Sequence, residues 1–158
     1  MKRIAQFFKV SETEYLKSGS KSAFDQIILP KRATSGSAGY DFFAPEEFTL
    51  NPDETIKIAT GIRAKIDEGW VLKIYPRSSL GFKYRLSLDN TVGIIDSDYY
   101  FAENEGHIFI KMTNNGIKPL TVEKGKAFAQ GIFVEYGITV DDECTATRTG
   151  GFGSTDKK

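Results

Sequence analysis

Apolar positions along this chain fall in short runs separated by Gly, Pro, Asn and Asp. Ile4 to Val10 (IAQFFKV) reads as a first strand. Between Thr55 and Ile66, Ile56 and Ile58 precede Gly61, and Ile62, Ala64 and Ile66 follow it. That period of two predicts a pair of half-buried strands. Trp70, Leu72 and Ile74 share one face of a strand ending near Tyr75. Ile108 and Ile110 share another, with Phe109 opposite, and Ala127 to Tyr136 reads as a further β run. Strands recurring at this spacing predict an all-β sandwich or barrel. Only one short helix is expected, from Ser78 to Leu86, with Ser78 or Ser79 as N-cap and Leu80, Tyr84 and Leu86 partly buried. Phe24 to Leu29 is ambiguous and is closed by Pro30. From Gly137 onward the only large apolar residues are Ile138, Val140 and Phe152. The pattern therefore predicts a β domain over residues 1–136 and a C-terminal arm over 137–158.

Length and composition narrow the options. The chain has 158 residues, enough for one domain with its own core. Lys+Arg and Asp+Glu both number 21, so the net charge is zero. A nucleic-acid or membrane-surface binder would need a basic excess, whereas a small anionic substrate needs only a local patch of cations. The single cysteine, Cys144, cannot form an intrachain disulfide. With His107 the only histidine, a His/Cys zinc site is not expected within one chain. No signal peptide or membrane span is visible, so a cytoplasmic location is expected.

Five segments carry candidate chemistry. Ser37 to Ala44 (SAGYDFFA) is a glycine turn entering a strand, with Asp41 as a turn residue or a functional acid. Tyr75 to Gly81 (YPRSSLG) offers a strand end, Arg77, and the serines Ser78 and Ser79 at a helix start, read as either a phosphate grip or a capped turn. Asn90 to Tyr100 (NTVGIIDSDYY) ends an apolar run in Asp96 and Asp98, on one side of a strand or hairpin. Such a pair can orient a water or a metal, or simply make Asx turns. Glu123 to Gln130 (EKGKAFAQ) sets a polar Gln130 in an apolar strand. The tail GGFGSTDKK holds one aromatic, Phe152, between glycines, as in a frayed terminus or a tail that closes on a ligand.

The order AGYDFFA, PRSSLG, GIIDSDYY, GKAFAQG and GGFGSTD resembles the five-motif pattern of the trimeric dUTP pyrophosphatases, from about Leu29 to Thr155. The resemblance implies a jelly-roll-like distorted β-barrel of the β-clip type and a homotrimer with active sites shared between subunits. A flexible C-terminal arm would close a neighbour's site. It also implies hydrolysis of dUTP to dUMP and pyrophosphate, while the balanced charge argues against a nucleic-acid or membrane partner. Asp96 would activate the attacking water as a base. Asp41 would stand near a hydrated Mg²⁺ held mainly by the triphosphate, and Gln130 near the phosphates and water. Arg77, Ser78 and Ser79 would bind phosphate. A hairpin from Asn90 to Asp96, with Asn90, Gly93 and Ile95, would read the uracil edge. Tyr99 would pack under the deoxyribose and exclude a 2′-hydroxyl. Phe152 would stack on the base, and Arg148, Gly153, Ser154 and Thr155 would reach the phosphates.

Four features depart from the family's usual pattern. Lys126 and Ala127 replace an acid and an arginine. The spacing from Arg148 to Phe152 is short, and Asp156 stands where glycine is usual. Tyr100 to Glu105 (YFAENE) is an insertion of unassigned role. The altered fourth motif and the insertion motivate a second reading, a regulatory binding module on the same fold. A dCTP deaminase is the third.

Overall fold

The structure, a computed structural model, describes residues 1–150. Its strands are β1 (Ala5–Lys9), β2 (Lys31–Arg32), β3 (Tyr40–Phe43), β4 (Phe48–Leu50), β5 (Thr55–Ala59), β6 (Ile62–Ile66), β7 (Trp70–Pro76), β8 (Leu86–Leu88), β9 (Gly93–Ile95), β10 (Phe109–Asn114), β11 (Leu120–Val122) and β12 (Ala127–Glu135). Three short helices interrupt them: α1 (Glu12–Tyr15), α2 (Lys21–Asp25) and α3 (Ser78–Tyr84). A 3-10 turn spans Ser97–Phe101.

Every strand pair is antiparallel, and most join segments far apart in sequence. The main sheet has five strands in the order β2-β3-β12-β7-β9. A second has the order β5-β10-β8, and β1-β6 and β11-β4 form two-stranded sheets. This is the all-β, jelly-roll-like architecture expected. Inward-facing residues of several sheets meet in one core, where Phe42, Leu72, Ile108, Met112 and Phe128 are fully buried. No helix among the described residues is long and apolar enough to cross a membrane.

The strand pair expected on either side of Gly61 exists, but its members do not pair with each other. β5 joins β10 and β6 joins β1. The link between them is held from outside. Thr60 Oγ donates to the Ile108 carbonyl (2.6 Å), Gly61 N–H donates to His107 Nε2 (2.9 Å), and the Gly61 carbonyl accepts from Val10 N–H (2.9 Å). These contacts divide the run between two sheets.

Helix α1 begins at Ser11, whose hydroxyl accepts from Glu14 N–H, and α2 at Ser20, whose hydroxyl accepts from Ala23 N–H. Side-chain capping of this kind starts a helix even in a short segment, and it adds two helices to the single one expected. At α3 the N-cap is Arg77 rather than Ser78 or Ser79, and no side chain caps the turn. Extended backbone continues from Pro76 through Arg77, which places both serines inside the helix.

Candidate functional site

Two clusters of polar residues form on the molecule. The first lies across three adjacent strands. Asp41 on β3 stands opposite Gln130 on β12, which stands opposite Tyr75 on β7. Gln130 Nε2 donates to the Pro76 carbonyl (3.2 Å), which ties the amide to the end of β7. Its Oε1 faces Gly39, where a Cβ would lie 2.6 Å away, so the glycine is required by close approach. Arg77 Nε lies 3.4 Å from Asp41 Oδ1. Arg77, Ser78 and Gln130 line a shallow cleft of about 490 Å³. Both α3 serines are exposed, and the first-turn N–H groups have no capping side chain. Uncapped N–H groups beside an arginine suit an anion.

A different wall of the molecule carries the second cluster, a cavity of about 250 Å³. Its wall includes β9 and Ile74 of β7, and Asn90, Asp96, Tyr99 and Arg148 also line it. The segment from Asn90 to Asp96 is not the hairpin expected. β8 pairs with β10 and β9 pairs with β7, so Asp89 to Val92 form a corner between two sheets. Thr91 N–H donates to the Leu88 carbonyl there, and Thr91 has φ 67°. Because β9 is an edge strand, peptide groups on its outer side have no strand partner. They remain available to a planar polar ligand.

Asp96 is the N-cap of the 3-10 turn and Asp98 lies in its first turn. The two acids share one side, as expected, although a 3-10 turn rather than a strand places them there. One guanidinium bridges them within the chain. Arg148 Nη2 lies 2.7 Å from Asp96 Oδ2, and its Nε donates to Asp98 Oδ1 at 2.8 Å. The same guanidinium carbon is 5.7 Å from the centre of the Tyr99 ring. Tyr99 is buried, and burial pushes its hydroxyl above the usual phenol range.

The two clusters are not brought together within one chain. From Asp41 to β9 is three strand spacings, and Ile95 pairs with Leu72, three residues along β7 from Tyr75. At ~4.8 Å per strand and ~3.3 Å per residue, the separation is roughly 17 Å. A base must come within about 3 Å of the proton it takes, or act through one water.

Several lining residues escaped the motif reading. Leu88, Ile110 and Lys111 line the cavity, as does Phe109. The signal for Phe109 was its position opposite Ile108 and Ile110, an aromatic on the other face of that run. Lys126 is exposed and lines neither cavity. Phe152, Gly153, Ser154, Thr155 and Asp156 lie outside the described residues.

Among the described residues no group of three or more His, Cys, Asp or Glu side chains could enclose a metal. Asp41 offers a single, largely buried carboxylate beside Arg77. Mg²⁺ keeps several waters and is commonly bound by one or two carboxylates plus substrate phosphates. This donor set fits water-mediated contact with such an ion and does not form a cage.

Comparison with known proteins bears on the family and the fold. Residues 25–156 match the dUTPase family. The chain is 45% identical over 132 residues to a deoxyuridine 5'-triphosphate nucleotidohydrolase of Lactococcus lactis subsp. lactis, covering 82% of this chain and 88% of that protein. It is similar to the crystal structure of dUTPase from Streptococcus mutans, with TM-score 0.67 and 33% identity over 84% of this chain and 97% of that one. The fold is also that of a mutant dUTPase from phage phi11 of S. aureus (TM-score 0.67, 20% identity, 91% and 98% coverage), a structure that shows coordination of a structural Mg(II) ion.

Proposed function

This chain belongs to the dUTPase family and is a dUTP diphosphatase, and we propose that Asp96 is the base that activates water for attack on the α-phosphorus. The observation that supports this role is the cavity that sets Asp96 beside Tyr99, Asn90 and the open edge of β9. Asp96 takes a proton from water as the new P–O bond forms, and the bond to the bridging oxygen breaks to release pyrophosphate. Uracil is read by the outer peptide groups of Gly93 and Ile95, with help from Asn90. Cytosine presents a donor where uracil presents an acceptor, so it leaves buried groups unpaired and is rejected. The Tyr99 ring closes the floor under the deoxyribose.

Phosphates are bound by Arg77, Ser78 and Ser79, with Gln130 nearby and Asp41 facing the hydration shell of Mg²⁺. The ion, when bound to the triphosphate, neutralises part of its charge. Because the two clusters lie roughly 17 Å apart in one chain, the complete site forms between subunits of a homotrimer. Arg148 then exchanges its acid pair for a phosphate. Asp96 and Asp98 are about half exposed (51% and 52%), whereas Arg148 is 15% exposed, so solvent screens the pairs from the acid side. A triphosphate can therefore compete for the guanidinium and free Asp96. Phe152 stacking on uracil, with Gly153, Ser154 and Thr155 at the phosphates, completes the proposed closure. The family match favours neither the deaminase nor the non-catalytic module.

The test is a pyrophosphate-release panel with dUTP, dCTP, dTTP and UTP, with and without Mg²⁺, run on the wild-type protein and Asp96→Asn. Wild type is expected to act on dUTP alone. Asp96→Asn is expected to lose at least about a thousandfold in kcat while still binding dUTP, as removal of a base does. Near-normal turnover in that variant would take the role away from Asp96.

A further inference from the structure

The insertion after the acid pair has no place in the mechanism above, yet it is built tightly. Tyr99 Oη donates to the His107 carbonyl (2.7 Å) and accepts from Asn104 Nδ2 (2.8 Å). Both partners belong to the segment that leaves and re-enters the fold between Tyr99 and β10. Asn104 is itself fixed. Its Oδ1 accepts from Gly106 N–H (3.2 Å), and its backbone carbonyl accepts from His107 N–H (3.1 Å). With Oδ1 occupied as an acceptor, the amide nitrogen is the group that faces Tyr99. Gly106 has φ 70°, and a Cβ there would lie 2.6 Å from the Tyr99 carbonyl oxygen, so the loop closes directly over this residue.

The loop is also moored to the rest of the molecule. Arg63 Nη2 donates to the Tyr100 carbonyl (2.6 Å), and its guanidinium lies 3.7 Å from the centre of the Tyr100 ring. Ser11 N–H donates to Glu105 Oε2 (2.7 Å), a bond that holds the Glu105 carboxyl below the usual range. Gly61 N–H holds His107 through Nε2. A loop anchored to β6, to the start of α1 and to the β5–β6 link transmits a fixed position to Asn104.

We infer that Asn104 is a positioning residue that holds the Tyr99 ring as the floor of the nucleotide cavity, and that through it the inserted loop sets the preference for a 2′-deoxy sugar. A floor excludes a 2′-hydroxyl only if it cannot retreat. The His107 carbonyl holds the phenol tip from one side, and Asn104 holds it from the other. The inference rests on the reading of Tyr99 as the residue under the deoxyribose.

The experiment measures kcat and KM for dUTP and UTP in wild type, Asn104→Ala, Tyr99→Phe and the double variant, with melting temperatures recorded alongside. Loss of one buried hydrogen bond should raise KM for dUTP roughly 3- to 10-fold. The loss should fall mainly on KM, and the ratio of kcat/KM for dUTP over UTP should drop by a similar factor. In the Tyr99→Phe background Asn104→Ala should cause no further loss of preference, since the bond is already gone. A full dUTP preference in Asn104→Ala, or additive losses in the double variant, overturns the proposal. If Asn104→Ala does not fold, Tyr99→Phe removes the same bond from the other end, and an unchanged preference there overturns it as well. A wild-type protein inactive on dUTP would instead overturn the dUTPase reading itself.

Discussion

His107 is the only histidine in the chain, and none of its surface reaches solvent. Its Nε2 accepts from Gly61 N–H, so the ring proton sits on Nδ1, 3.9 Å from Glu14 Oε1. Burial pushes its pKa down to about 4; the pull of Glu14 and Glu105 in the opposite direction is weaker, and Lys57 adds to the lowering. Between that value and the ordinary 6.5, the unfolded chain binds a proton that the folded chain refuses. Stability is thus complete above pH 6.5 and is lost as pH falls toward 4. The protein should be about 2 kcal/mol less stable at pH 5 than at pH 7.5. Urea unfolding at the two pH values measures this, and equal stabilities would contradict the neutral, buried state. Composition alone marked His107 as the only histidine available to a zinc site, and its core role was not legible, because the burial comes from strands that meet only in the folded sheet. Asp41, Arg77, Gln130, Asp96 and Tyr99 were legible as candidates because each sits in a segment with a characteristic order of residues. Asn104 was not, since its partner is fixed by a loop closure that sequence spacing does not reveal.

Among the elements, strands were read from the sequence more reliably than their partners. The alternation in β5, β6, β7 and β10 reports which side chains face inward, and that is a local property. Pairing depends on which distant strand arrives at each edge, and this is why the split at Gly61 and the corner at Asp89–Val92 differ from expectation. The arm has a distinct character. Ile138 and Val140 are exposed, and the side-chain anchor of residues 137–150 is Arg148 on Asp96 and Asp98. Deleting residues 148–158 should therefore cost the fold little, on the order of 1 kcal/mol. Activity should fall by at least about tenfold, because the proposed stacking aromatic, Phe152, and the proposed phosphate-binding cation, Arg148, leave together. Turnover assays with light scattering check both halves. A truncated protein that becomes monomeric, or one that keeps full activity, would contradict the role given to the arm.

At the scale of the whole molecule, the two clusters lie three strand spacings apart in one chain, and in the proposed reading each is part of a site. Neutral net charge is compatible with a triphosphate substrate when the cations that meet it come from separate subunits. If sites form between chains, Asp96→Asn subunits and Arg77→Ala subunits should rescue one another on mixing. Unfolding the two inactive proteins together and refolding them should restore about a quarter of wild-type activity, since random assembly pairs intact halves at that frequency. Complete sites within single chains would leave the refolded mixture as inactive as its components. If sites are shared between chains, the gap of roughly 17 Å between the clusters also has a genetic meaning. Two alleles damaged in different halves would complement each other in one cell, although neither encodes a working enzyme. A single allele damaged in the acid cavity, co-expressed with the wild type, would disable sites in proportion to its share of the subunits and would spare the rest.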